Sequence, residues 1–240
     1  MENLKEKLEQ GLRPLYEELF NSLHINFDRE TETSFVMQWG ENFPANNNEG
    51  ILFIGKAVNG WLKKEDQTFE KLFARGDQMT WIDNLWKSKE GYATGRSAFW
   101  RVIKGIASKF TNGADSWHSS IAWSNLYKIS PNNAKGGGNP DKKRKERQLN
   151  LCREILKKEI EILSPKYVIL LTSGWESEPG FLWYMNDKQH THHIEEKTWG
   201  KKEKIRVYKI HDIVFIASVH PQGKNESKHI EAITDLMKKY

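Results

Sequence analysis

Four short apolar runs, separated by stretches of helical periodicity, constrain the fold of this 240-residue chain more than any other feature. They begin at Ile51, Ile121, Tyr167 and Ile213. Each run is short for a helix and rich in β-branched or aromatic residues, which favours a buried strand. Because the runs alternate with helical patterns, the sequence predicts an α/β fold: three αβα layers around a mainly parallel central sheet.

Amphipathic patterns predict the helices. Leucines recur at spacings of three and four over residues 2–23. We expect further helices over residues 65–75, 80–88, 98–110, 139–163 and 226–239. In the long one, Asn139 is the expected N-cap and Pro140 the first helical residue. We also predict a short strand over residues 34–37 and a hairpin of residues 205–210 and 213–219 that turns at His211 and Asp212.

Length and composition favour one domain over residues 1–240, with residues 1–45 as a helical and irregular N-terminal extension. Cys152 is the only cysteine, which excludes an internal disulfide, a cysteine-based zinc site and a four-cysteine iron–sulfur cluster. We therefore expect a cytoplasmic protein without a cofactor. The sequence has no apolar stretch of about 18 residues, so we expect no membrane partner, and we expect a monomer.

The charge balance points to an anionic partner. The net charge is +5 and the isoelectric point is about 9.0, which favours binding to nucleic acid through counterion release. Lys142, Lys143, Arg144 and Lys145 concentrate this charge where the long helix begins. Basic residues oppose the helix macrodipole there, so we interpret them as phosphate contacts; a solvated helix face is the alternative.

Polar residues stand where apolar runs end. Asn125 lies late in the second run, His220 directly follows the fourth, and a loop from Gly55 to Gly60 follows the first. Ligands of open α/β sheets bind beyond the carboxyl ends of the strands. An amide, an imidazole and a glycine-containing loop at this position predict a pocket for a flat polar ligand such as a base. Capping and turn roles are the structural alternatives.

The order of these segments resembles the uracil-DNA glycosylase superfamily. The similarity covers residues 50–60 and 120–235 and is nearest to family-four-like members. It rests on Asn125 to Asn133, on the helix and apolar strand from Cys152 to Leu171, and on the Val219-His220-Pro221 motif. The iron–sulfur cysteines of the family-four type are missing, and the loop after His220 lacks the usual apolar wedge.

The resemblance implies roles for individual residues. Asn125 would read the edge of a flipped base, and His220 would donate a hydrogen bond to the base oxygen that gains charge. Gly55 would let the backbone approach the base. Phe99 would stack on the base, with Trp61 as a competing candidate. The loop from Gly55 to Gly60 has no carboxylate, so Asn59 is the remaining candidate for orienting water.

Three functions remain open from the sequence. The first is a DNA repair hydrolase that binds DNA, flips a modified base such as uracil and excises it. The second is a non-catalytic nucleic-acid-binding module on the same fold, which the missing carboxylate favours. The third is a hydrolase of nucleoside-type small molecules. A metal site is not expected, because His190, His192 and His193 match no standard zinc spacing.

Overall fold

The computed structural model describes residues 3–22, 32–44, 49–58, 60–61, 68–74, 79–110, 116–131, 138–173 and 180–240. Within these residues the protein is mixed α/β, with seven α-helices and a mixed sheet of seven strands. The chain divides into two compact units. The first comprises Met1–Met37, Gly55–Gly76 and Ser124–Leu163; the second comprises Gln38–Ile54, Asp77–Trp123 and Ser164–Tyr240.

The described residues form seven α-helices and nine strands. The helices are α1 (Leu4–Ser22), α2 (Phe69–Phe73), α3 (Thr80–Asn84), α4 (Ala98–Ala107), α5 (Lys142–Leu163), α6 (Phe181–Met185) and α7 (Glu226–Lys239). The strands are β1 (Glu32–Ser34), β2 (Gln38–Trp39), β3 (Ile51–Gly55), β4 (Ile121–Asn125), β5 (Ile129–Pro131), β6 (Tyr167–Leu171), β7 (Glu195–Thr198), β8 (Lys204–Ile210) and β9 (Ile213–Ser218).

The first unit is built on the packing of α1 against α5. The buried face of α1 carries Leu8, Leu12, Tyr16 and Leu19, as the leucine spacing predicts. At Gly11 the two helices approach closely, since a Cβ there would lie 2.7 Å from Ile162 Cδ1. The Tyr16 hydroxyl donates to the main-chain carbonyl of Phe35 at 2.7 Å. Strands β1 and β5 pair antiparallel in a two-stranded sheet.

The second unit contains most of the large sheet, whose strand order is β2-β4-β3-β6-β9-β8-β7. Strands β3, β6 and β9 run parallel, with Ile54 opposite Leu170 and Leu171 opposite Ser218. Their carboxyl ends therefore meet at one edge of the sheet. Helix α4 packs on α7, where Arg101 and Glu226 form an ion pair at 2.5 Å.

Several elements confirm the sequence-based expectations. The apolar runs form β3 and β6, and residues 204–218 form the antiparallel hairpin of β8 and β9. Helix α7 spans Glu226–Lys239, and α5 ends at Leu163 as expected. No helix among the described residues is long and apolar enough to cross a membrane.

Other expectations need correction. The sheet is mixed rather than mainly parallel, because the tight hairpin turns β8 back along β9 and the β2–β4 and β7–β8 pairs are also antiparallel. The first short strand lies at Glu32–Ser34, not over residues 34–37. Helix α5 begins at Lys142, and Asp141 replaces Asn139 as its cap, since Asp141 Oδ1 accepts the Arg144 N–H at 2.8 Å.

Candidate functional site

Asn125 and Gly55 come together in the first unit. They are the last residues of β4 and β3. The N–H of Leu126 donates to the Gly55 carbonyl at 2.9 Å, and the N–H of Tyr127 donates to the Lys56 carbonyl at 3.0 Å. These two main-chain hydrogen bonds fix the residues after Asn125 against the start of the loop from Gly55 to Gly60, which we call the glycine loop.

The side chain of Asn125 is buried, with 1% exposure, yet its amide nitrogen has no hydrogen-bond partner among the described residues. A buried donor without a partner costs about 1–3 kcal/mol, and such groups are rare in native proteins. Among the described residues, the Asn125 Nδ2 atom is therefore a buried donor without a hydrogen-bond partner.

Hydrogen bonds hold the chain within the glycine loop and directly after it. The Ser130 hydroxyl donates to the Val58 carbonyl at 2.7 Å, and the Trp61 N–H donates to Thr33 Oγ1 at 3.0 Å. Asn59 lies outside the described residues. The Trp61 ring meets Phe35 edge to face, with ring centroids 5.2 Å apart. This contact gives Trp61 a packing role within the unit.

His220 and Phe99 come together in the second unit. Their rings are nearly parallel, at 12°, with centroids 6.1 Å apart. The Gln222 N–H donates to His220 Nδ1 at 3.3 Å, so the neutral imidazole carries its proton on Nε2. The His220 main-chain N–H donates to Ser173 Oγ at 2.7 Å. The imidazole is thus held as an Nε2–H donor beside an aromatic face.

Ser173 is a site residue that sequence reasoning misses. It follows the carboxyl end of β6 and adopts a left-handed backbone with φ of 65°. The N–H groups of Thr172 and Ser173 both donate to the Ser218 carbonyl at 3.2 Å. Its position just beyond an apolar run is the one sequence signal for it, and a serine there looks like an ordinary turn residue.

A cluster of three tryptophan rings packs around Phe99. The rings of Trp100 and Trp123 lie 4.9 Å apart, and Trp81 lies 5.6 Å from Trp100. Phe99 contacts Trp100 and Trp123 at centroid distances of 5.2 and 6.4 Å. Trp100 and Trp123 are buried, so these indoles hold the core around Phe99.

His229 is a second histidine near the end of β9, and no sequence pattern singles it out. It is fully buried on α7, and its Nε2 lies 2.8 Å from Ser218 Oγ. Its ring stacks on Trp199 at 4.3 Å and 9°. Burial, together with the charge of His220, lowers the pKa of His229 to about 4. His229 is therefore neutral at ordinary pH.

The basic segment at the start of α5 is divided between exposed and engaged side chains. Lys142 is 90% exposed and Lys143 is also exposed. The Arg144 guanidinium is held by Glu32, which is 2% exposed, and by Asp141. Lys145 is half-buried. Arg144 therefore joins α5 to β1, whereas Lys142 and Lys143 face solvent.

The segment with His190, His192 and His193 is followed by two acidic residues, Glu195 and Glu196, that are already in ion pairs. Glu195 is bound by Lys239 and Tyr240. Glu196 lies 2.6 Å from Lys204 and 2.7 Å from Arg206, and hydrogen bonds from both lower the pKa of its carboxyl to about 2. The part of the chain that the structure describes holds no group of three or more metal-ligating side chains.

No known protein-family model matches this chain, and no curated protein is significantly similar to it. The candidate site therefore rests on the two residue pairs themselves. The structure brings Asn125 together with Gly55, and His220 together with Phe99.

The pKa of His229 predicts an acid-sensitive fold. An unfolded histidine titrates near 6.5, so between that pH and about 4 the native state binds fewer protons than the unfolded state. Stability is therefore lost as the pH falls through this window, by up to about 3 kcal/mol. Urea unfolding at pH 7 and pH 4.5 measures this loss.

His229→Gln, which cannot titrate, should show a smaller loss, whereas exposed His192→Gln should match the parent. Equal pH dependence in parent and His229→Gln would refute the assignment.

Proposed function

We propose that this chain binds nucleic acid, accepts a flipped modified base such as uracil and cleaves its N-glycosidic bond. The fold assigned with this function is a three-layer αβα arrangement like that of the uracil-DNA glycosylases. The observation that supports it most is the buried Asn125 amide, whose nitrogen lacks a partner among the described residues. Uracil presents an oxygen acceptor next to an N–H donor, and one fixed amide complements both. Binding the base would satisfy the Asn125 donor.

His220 supplies the second role in this proposal. When a glycosidic bond breaks, negative charge develops on the departing base, and a fixed donor stabilises it by about 3–4 kcal/mol. The Gln222 N–H on Nδ1 leaves Nε2–H as the donor of the neutral ring. Phe99, whose ring lies parallel to that of His220, is the aromatic residue that the proposal assigns to base stacking.

Of the steps in this proposal, water activation has the least support from the residues present. The loop from Gly55 to Gly60 contains no carboxylate, and we assign Asn59 to orient the attacking water by hydrogen bonds. An amide cannot accept the water proton as a carboxylate does, so excision is expected to be slow. The missing carboxylate also favours the second candidate, a module that binds a flipped base without excising it.

The proposed partner is DNA, bound through its phosphates. The net charge of +5 supports this choice, and Lys142 and Lys143 are its exposed contacts. Arg144 is assigned a structural role instead, because Glu32 and Asp141 occupy its guanidinium.

The decisive activity test uses single-turnover excision from oligonucleotides that contain uracil, hypoxanthine or xanthine, followed by alkaline cleavage of abasic sites. Asn125→Ala and His220→Ala should each lower the rate roughly a hundredfold, because each removes a hydrogen bond made to the base. His192→Ala, which changes an exposed imidazole, serves as the control. Near-parental rates in both site variants would remove these residues from the site. Base-specific binding without product from the parent would support the binding module.

Salt dependence tests the phosphate contacts. Lys142→Ala and Lys143→Ala should each reduce the slope of log affinity against log salt by about one, since each lost contact releases fewer counterions. Arg144→Ala should leave the slope unchanged and lower the urea midpoint, because it removes the closest cation from buried Glu32. Fluorescence anisotropy of a labelled duplex measures the slopes. Unchanged slopes in both lysine variants would exclude this segment from the interface.

A further inference from the structure

Lys128 and Glu159 form an ion pair inside the first unit, and both side chains are 0% exposed. Lys128 Nζ lies 2.8 and 3.0 Å from the two carboxylate oxygens of Glu159. It also donates to Ser124 Oγ at 2.7 Å, and that hydroxyl donates to Glu159 Oε2 at 2.6 Å. We call these three side chains the buried polar network. Each member satisfies the other two.

Stability alone is a weak reason to bury this network. Removing two charges from water carries a penalty that their attraction offsets only when the geometry is good, and apolar side chains of similar volume often stabilise a core as well. Burial does raise the pKa of the Glu159 carboxyl, while the Lys128 ammonium and the Ser124 hydroxyl oppose the rise. The more specific effect of the network is on the chain segment that its side chains hold.

The network holds both sides of Asn125. Ser124 immediately precedes Asn125 and Lys128 follows it by three residues, whereas Glu159 belongs to α5. Two side chains that flank the candidate base-reading residue thus converge on one carboxylate of a 22-residue helix. A long packed helix is a rigid support for that carboxylate.

The main chain after Asn125 is held by the same helix. Gln148 Oε1 accepts the N–H groups of Lys128 and Ile129 at 3.1 and 2.8 Å, and Gln148 Nε2 donates to the Ile129 carbonyl at 2.7 Å. Polar groups on each side of Asn125 are therefore hydrogen-bonded, while Asn125 Nδ2 has no partner among the described residues. A rigid frame around an unused donor is the arrangement of a preorganised binding group.

We propose that Ser124, Lys128 and Glu159 are positioning residues that orient the Asn125 amide toward its ligand without contacting the ligand themselves. The consequence for base recognition rests on the proposed function, but the orientation of Asn125 can be measured without a ligand. Because a displacement of about 1 Å at a reacting group can cost roughly a hundredfold in rate, loss of this frame should weaken recognition even in a folded protein.

The test replaces the network by apolar side chains of similar length. Lys128→Met combined with Glu159→Leu removes both charges, so neither is left buried alone. Ser124→Ala is a milder second variant that removes only the hydroxyl. The matched control is Lys158→Met combined with Glu161→Leu, which removes an exposed ion pair of 2.7 Å from the same helix. Two readouts are taken: ¹⁵N relaxation of the Asn125 side-chain amide in the free protein, and the affinity ratio for uracil- against cytosine-containing oligonucleotides. Cytosine presents an amino donor where uracil presents an oxygen acceptor, so a fixed amide distinguishes the two bases.

Both network variants should make the Asn125 amide mobile, and uracil preference should fall roughly tenfold or more while affinity for the cytosine oligonucleotide stays at the parental value. The control should match the parent in both readouts. A folded network variant whose Asn125 amide is as rigid as in the parent would overturn the inference. If the double variant does not fold, Ser124→Ala decides by the same criterion. If the parent shows no uracil preference, the proposed function fails, but the relaxation data still decide whether the network positions Asn125.

Discussion

The ion pair between Lys128 and Glu159 ties the chain around Asn125 to helix α5. A fully buried ammonium must meet its carboxylate at hydrogen-bonding distance, because a lone charge in a protein interior is strongly destabilising. Lys128 Nζ lies 2.8 and 3.0 Å from the two carboxylate oxygens of Glu159, which ties the β4–β5 segment to α5. Ser124 and Gln148 add hydrogen bonds between the same segment and the same helix. The buried polar network and Gln148 thus connect both sides of Asn125 to α5.

The two units use different means to hold their candidate site residues. In the first unit, hydrogen bonds to Gly55, Lys56 and the helix α5 fix the chain around Asn125. In the second unit, aromatic packing holds Phe99, and hydrogen bonds from Gln222 and to Ser173 hold His220. Both solutions produce a fixed donor: the Asn125 amide and the Nε2–H of His220. A fixed donor needs no rearrangement when charge develops on a group bound to it.

The sequence predicts elements whose signal is local. Strands β3 and β6 follow from uninterrupted apolar runs, and the inner face of α5 around Cys152 follows from helical spacing. The α5 cap is missed because Asn139-Pro140 is a good local start signal, and only the structure shows that Asp141 accepts the Arg144 N–H. The parallel sheet is over-predicted because apolar runs do not encode strand direction.

The site is predictable to a similar degree. Asn125, Gly55 and His220 are selected from their positions at strand ends and Phe99 from the family resemblance; the structure places Asn125 near Gly55 and His220 beside Phe99, and their roles stay predictions. The Lys128–Glu159 pair escapes sequence reasoning because its members lie 31 residues apart, and both residue types usually face solvent. The Arg144–Glu32 pair escapes it for the converse reason: a run of basic residues looks uniformly exposed, yet one of them has a buried partner in Glu32.

The central claim is that the buried Asn125 amide reads the base, and nuclear magnetic resonance of this group tests it most directly. Free uracil is titrated into ¹⁵N-labelled protein, and the Asn125 side-chain signals are identified by their absence in Asn125→Asp. The account predicts that these signals move on binding, with an amide proton shifted downfield by its new hydrogen bond, and that cytosine, which has an amino donor in place of the uracil oxygen, produces a smaller change. Uracil binding that shifts other resonances to saturation while the Asn125 signals stay in place would contradict the account.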